Sequence, residues 1–311
     1  MPINRNTPYY RQVQLLIRVL RIVSTETCFA LKGGTAINLF VRDLPRLSVD
    51  IDLVFLPLEE RTASLRHIRE ALGRIAIAAQ RQRGCEIIPP NEASDAMRLF
   101  VIQGAERIKI ELSPVLRGSV FPPKPMATQP SVELEFGFVE TQVLTLPDLY
   151  AGKICAALDR QHPRDLFDIK LLLENEGITR EMRQAFLVYL IGHNRPMSEL
   201  LAPTRKDIRA QFNQEFADMT SEPVTLAELE DVREQLIANL MAGMTEQDKE
   251  FLLSFKRRAP NWQLLGLTGI ERLPAVRWKL LNLDKMPAEK HAHAVRALET
   301  ALQETAKSDS D

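Results

Sequence analysis

The stretch that most constrains this chain is Leu31 to Phe55, LKGGTAINLFVRDLPRLSVDIDLVF. Gly33 and Gly34 make a backbone-permissive corner, Thr35 to Val41 reads as a short helix, and Val49 to Phe55 reads as a buried strand. Residues two apart in a strand share a face, so Asp50 and Asp52 lie on one side and Val49, Ile51 and Leu53 on the other. Adjacent like charges repel unless a cation or strong hydrogen bonds offset them, and a hard, oxygen-seeking ion such as Mg²⁺ or Mn²⁺ is the usual partner. The Gly-Gly-Thr corner opening a helix presents backbone N–H groups that suit a triphosphate. Asp50 and Asp52 are therefore candidate metal ligands, and Gly33, Gly34 and Thr35 candidate nucleotide-binding positions. The plainer alternative is a solvated strand end beside an ordinary turn.

At 311 residues and 45% hydrophobic content the chain has room for one large or two ordinary domains with a proper core. No apolar run reaches the roughly 18 residues needed to span a bilayer. The first residues carry no signal-peptide pattern, so the expectation is a cytoplasmic protein without a membrane partner. Cys28, Cys85 and Cys155 are far apart and form no C-x-x-C, which points to buried small hydrophobes rather than disulfides or zinc. His291 and His293 are two apart, a spacing that shares no helix face.

A net charge of −1 argues against non-specific coating of nucleic acid but permits a local basic patch. Basic residues gather in Arg5 to Arg21, with four arginines and no acid, and in Arg61 to Arg83, with six arginines and one glutamate. Both stretches also fit the solvated outer faces of helices.

Helical spacing marks Pro8 to Glu26, with Val13, Leu16, Ile17, Leu20 and Val23 on one face, and Leu58 to Arg83, ended by Gly84. Cys28 to Leu31, Cys85 to Ile88, Met97 to Gln103 and Arg107 to Ser113 read as strands. On the last, Ile108, Ile110 and Leu112 alternate with Lys109, Glu111 and Ser113. Glu111 is thus either a third carboxylate for a metal or part of a polar outer face. Leu116 to Pro130 is proline-rich and reads as a loop, and Ser131 to Phe136 with Phe138 to Val143 as a hairpin about Gly137.

From Thr145 onward the pattern is helical almost to the end, with starts at Thr145-Leu-Pro147-Asp148 and at His162-Pro-Arg164-Asp165. Lys153, among small and apolar residues, is placed either to hold a phosphate or to reach the surface. Asp165 and Asp168 share a helix face, where Arg164 can pair with either. Further helices are expected over Thr179 to Leu201, Thr204 to Met219, Thr225 to Met241, Thr245 to Arg257 and Glu289 to Ala306, with Trp262 and Trp278 anchoring the core and a short polar tail from Lys307 to Asp311. The expected division is a core domain over residues 1–144 and a helical domain over 145–311 that completes the active site.

The glycine corner followed by D-I-D resembles the first motif of DNA-polymerase-β-type nucleotidyltransferases. Thr35 and the fourteen-residue spacing depart from the commoner Gly-Ser with a shorter spacer, though the hydroxyl is kept. The Ser48 to Leu53 ending, D-L-Y-A-G-K at 148 to 153 and R-D-L-F-D-I-K at 164 to 170 are together similar to the AbiEii/AbiGii toxin family, MenT-like nucleotidyltransferases included. The likeness runs from Lys32 to about Leu173.

The resemblance implies an α+β fold, a mixed sheet core flanked by helices and followed by an α-helical C-terminal region. It implies a metal-dependent enzyme that moves a nucleoside monophosphate from an NTP to an acceptor hydroxyl, such as the tRNA 3′ end, in a toxin–antitoxin or phage-defence pair with an antitoxin or its regulator as partner. Asp50, Asp52, Lys153 and Asp168 would be catalytic, with Lys153 also binding nucleotide. Two other readings stay open: nucleotidylation of a small molecule or protein, and a non-catalytic NTP-binding module.

Overall fold

The computed structural model describes residues 5–89, 97–217 and 219–303. They fall into two compact units, Met1–Leu149 with Gln214–Val224, and Tyr150–Asn213 with Thr225–Asp311. The division lies a few residues beyond the expected one, and one later segment returns to the first unit. Asp148 explains the first difference, because its buried carboxylate accepts hydrogen bonds from the Val120 and Phe121 amides at 2.8 and 2.9 Å. Main-chain pairing explains the second: Leu47 donates to Met219 at 2.8 Å, and Ser221 donates to Pro45 at 2.9 Å.

The first unit opens with α1 (Pro8–Val23), whose start is capped by the Thr7 hydroxyl. It continues through β1 (Phe29–Lys32), one helical turn α2 (Gly33–Ala36) that widens into a π-helical turn Ile37–Val41, β2 (Asp50–Phe55) and α3 (Arg61–Gln80). Then come β3 (Cys85–Ile88), β4 (Met97–Gln103), β5 (Glu106–Leu112), β6 (Lys124–Ala127), α4 (Pro130–Phe136) and β7 (Glu140–Val143). The strands form one mixed sheet in the order β3-β4-β5-β2-β1-β7-β6. β2 is central, antiparallel to β1 and parallel to β5. Leu53, Val54 and Phe55 are all buried, so the strand is covered on both faces beyond Asp52.

Two expectations in this unit fail. The proline-rich loop contains β6, among the described residues an edge strand paired with β7 alone, which is where a sheet tolerates proline. The hairpin about Gly137 is instead helix α4 followed by β7. Pro130 sits at the helix start and Gly137, at φ 102°, ends it by donating to Val132 and Glu133. The start is satisfied from 88 residues away, where the Asp43 carboxylate accepts from the Ser131 amide and hydroxyl at 2.9 and 2.8 Å.

The second unit is helical: α5 (Leu146–Arg160, begun in the first unit), α6 (Pro163–Asn175), α7 (Arg180–Gly192), α8 (Met197–Leu201), α9 (Arg209–Glu215, which ends in the returning segment), α10 (Leu226–Ala242), α11 (Glu246–Lys256), α12 (Pro274–Asp284) and α13 (Ala288–Gln303). Thr225 and Thr245 each build a capping box with the acid three residues on. The expected helix from Thr204 shrinks to α9, because the Lys206 amide bonds Gln161 and Arg205 pairs with Glu234. α12 was not expected, and its Trp278 is 42% exposed rather than a core anchor. Trp262 does pack inward, its ring 5.8 Å from Phe251 and 6.1 Å from Phe255. The helical extension to Ala306 and the tail from Lys307 lie outside the described residues. Cys155 is buried, Cys28 and Cys85 are partly exposed, and all three are free thiols. Among the described residues, no helix is long and apolar enough to cross a membrane.

Candidate active site

The glycine corner is pressed against the acidic strand. Gly33 has φ +74°, and a Cβ built on it would lie 2.6 Å from Asp52 Oδ2. Only glycine meets both demands. A Cβ on Gly34 would lie 2.7 Å from Arg46 Nη2 and 3.0 Å from Ser48 Oγ. Thr35 is 1% exposed, and its hydroxyl donates to the Asp50 carbonyl at 2.5 Å and lies 3.0 Å from Ser48 Oγ. The Thr35 side chain therefore ties the corner to the head of β2, and only its backbone faces the role expected of a phosphate cradle. Arg46 is buried at 2% exposure, with Nη1 donating to the Leu47 carbonyl at 2.8 Å. The return of 214–224 over residues 45–47 covers it.

Asp50 and Asp52 are partly exposed while Ile51 between them is fully buried, so both carboxylates leave the sheet on one face. Their neighbours on β5 are Lys109 and Glu111, in register with Asp50 and Asp52 respectively. Lys109 Nζ is 2.7 Å from Glu111, and its ammonium also feels Asp50 and Asp52. Burial works against that charge, but the Glu111 hydrogen bond and the three acids raise the Lys109 pKa above its ordinary value. Burial likewise opposes the Glu111 charge, yet hydrogen bonds from Lys109 and Arg98 hold its pKa below the usual carboxylate range.

Glu111, the expected third ligand, stands in register with Asp52, and both its oxygens are engaged by cations. Among the described residues no group of three His, Cys, Asp or Glu is arranged to hold a metal. The donor set that fits a hard divalent ion is the pair Asp50 and Asp52, two carboxylates on one strand face beside a backbone corner. A cleft of about 400 Å³ opens beside Asp52, lined by Lys32, Arg98, Glu111, Leu112, Ser113 and Pro114. Its mixture of two cations with acids suits a phosphorylated ligand held next to a metal.

In the helical unit, α5 and α6 bring together a buried cluster. Lys153 Nζ lies 2.8 Å from Asp165 and 2.9 Å from Asp168, with 6%, 1% and 0% of the side chains exposed. Arg160 adds a two-pronged pair with Asp165, at 2.5 and 2.9 Å. Burial pushes the Asp165 pKa up, but Lys153 and Arg160 outweigh it and hold the carboxyl well below its ordinary value. Arg160 is thus the arginine that meets Asp165, beside Lys153. Lys153 is not reaching for solvent: it is clamped between two acids, which fixes the position of its ammonium. Sequence reasoning left Asp165 out of the site; its three-residue spacing from Asp168 was the available signal.

A family model described as nucleotidyl transferase AbiEii toxin, type IV toxin–antitoxin system, matches residues 14–282. Among solved structures, MenT4, a nucleotidyltransferase toxin from Mycobacterium tuberculosis H37Rv, is similar in fold. The TM-score is 0.60 at 15% identity, and the match covers 89% of this chain and 95% of that one. No curated protein matches the chain in sequence.

Proposed function

Because the chain belongs to the AbiEii family of nucleotidyl transferase toxins of type IV toxin–antitoxin systems, we propose that it transfers a nucleoside monophosphate from an NTP to the 3′ end of a tRNA in a metal-dependent reaction. The observation that carries this reading is the packing of Gly33 against Asp52. A backbone corner that accepts phosphate and a strand face that accepts a cation stand in contact, as a metal-bound triphosphate requires.

In this reading Asp50 and Asp52 hold Mg²⁺ or Mn²⁺, and the backbone of Gly33, Gly34 and Thr35 cradles the phosphates. When bound, the ion neutralises triphosphate charge and lowers the pKa of the attacking hydroxyl. The acceptor oxygen bonds to the α-phosphorus as the bond to pyrophosphate breaks, and the hydroxyl proton passes to solvent. Arg46, buried against Gly34, stiffens the cradle and adds positive charge behind it. Lys109 sets a positive charge against the acidic face. The family resemblance gives Lys153 a nucleotide-binding role, and Asp165 and Asp168 fix the position of its ammonium. Catalysis of this kind is mostly positioning and charge neutralisation. The cellular setting we propose is a phage-defence pair with a cognate antitoxin.

The test is to incubate the protein with Mg²⁺, each α-labelled NTP in turn and total RNA, beside an Asp50→Ala control. Label on a tRNA-sized band with wild type alone is the expected result. Label confined to a protein or a small molecule would replace the acceptor, and equal labelling by the control would overturn the assignment of Asp50.

A further inference from the structure

The face of the sheet that carries Asp50 and Asp52 extends beyond them. Residues opposite one another in register stand on the same side of a sheet, and strand register here sets two rows across it. Ile88 on β3, Phe100 on β4, Lys109 on β5 and Asp50 on β2 make one row, and Arg98, Glu111, Asp52 and Lys32 make the next. Ile102, two residues from Phe100 on β4, lies on this side as well. The opposite side of the same strands is core. Leu99, Val101, Ile108 and Ile110 are buried there, with α1 packed on β5 and α3 on β3 and β4.

Apolar residues on the open side keep contact with solvent. Ile88 is 46% exposed, and Phe100 and Ile102 are partly exposed. Scattered singly such residues need no explanation, but these three adjoin in one strip. Cations border it. Arg107 lays its guanidinium 3.8 Å over the Phe100 ring and has no acidic partner among the described residues. Arg98, half exposed, holds Glu111 through Nε at the rim of the cleft of about 400 Å³ that reaches Asp52. Phe100 stands two strands from Asp50, about 10 Å away at the usual strand spacing.

Position decides which substrate this strip meets. The glycine corner leaves β1, on one flank of β2, whereas the strip lies on β4 and β3, beyond the other flank. In a phosphoryl transfer the attacking and leaving oxygens stand roughly in line across the phosphorus. With the triphosphate at the corner, the acceptor therefore approaches from the side of β5 and β4. Its chemistry follows from the surface: an unpaired base stacks on an aromatic ring or a guanidinium plane, and the bordering cations meet the phosphates of its chain. A cationic small molecule would be repelled by Arg98 and Arg107. We propose that Ile88, Phe100 and Ile102, with Arg98 and Arg107, form the docking surface for a single-stranded RNA end that serves as acceptor. The acceptor role rests on the transferase reading, while the test reads binding, so the two can fail separately.

The full chain, as wild type, Phe100→Ala, Arg107→Gln and the control Arg209→Gln at an exposed position on α9, is titrated against a fluorescent single-stranded oligoribonucleotide and against the same strand paired in a duplex. Wild type is expected to prefer the single strand. Phe100→Ala and Arg107→Gln are each expected to weaken that binding about tenfold, the loss of one stacking contact, while Arg209→Gln matches wild type. In the labelling reaction the same two variants are expected to raise the RNA concentration needed for half-maximal transfer and to leave that for NTP unchanged. Single-strand affinity equal to wild type in both variants overturns the proposal, as does equal affinity of the wild type for strand and duplex. Transfer to a protein that slows in Phe100→Ala, with no RNA bound by the wild type, overturns RNA as the occupant. Should Phe100→Ala fail to fold, Arg107→Gln, which alters an exposed side chain, decides alone.

Discussion

Replacing Gly33 by alanine tests the contact on which the proposed site depends. The new Cβ would lie 2.6 Å from Asp52 Oδ2, where ordinary contacts begin near 3.4 Å, so the carboxylate oxygen must retreat by about 0.8 Å. Alanine must also hold φ +74°, which costs about 1–2 kcal/mol. Stability should therefore fall modestly, with a melting temperature lower by a few degrees. Transfer should suffer far more, because displacing a positioned group by this distance costs about 100-fold in rate. Gly73→Ala is the control: it lies within α3, has open space around it, and should be neutral or slightly stabilising. Initial rates of NMP transfer and thermal melts on the two variants separate the effects. A Gly33→Ala protein that melts a few degrees low yet transfers at near the wild-type rate would refute the reasoning.

Lys153→Met removes the cation shared by two buried carboxylates and should cost about 3–5 kcal/mol in urea denaturation. Asp165 supplies a pH signature. Its folded pKa lies below the unfolded value of about 3.9, so its contribution is present above that pH and lost as pH falls toward the folded value. Melting temperatures between about pH 5 and 2 should drop more steeply for wild type than for Asp165→Asn. Thr35→Val strips the hydroxyl that ties the glycine corner to β2 and should destabilise by about 1–2 kcal/mol with reduced transfer, whereas Thr35→Ser should keep both. Equal behaviour of the valine and serine variants would show that the hydroxyl is not what holds the corner.

What the chain alone determines is whatever rests on neighbours in sequence. Two acids two apart in a β-strand must share a face, and a glycine pair followed by a helical pattern must turn, so the α+β class, the long helices and the shared face of Asp50 and Asp52 were legible. Other features depended on distant partners. The segment 131–136 alternates like a strand, but Asp43 caps it as a helix. Arg46 is buried by the distant segment 214–224. Lys109 and Glu111 read as a polar face, and only strand register shows that a lysine stands against Asp50 while Arg98 and Lys109 take both oxygens of Glu111. That Arg160 reaches Asp165 was likewise decided in three dimensions. Local periodicity records which face a residue takes; the charge that meets it there comes from another part of the chain.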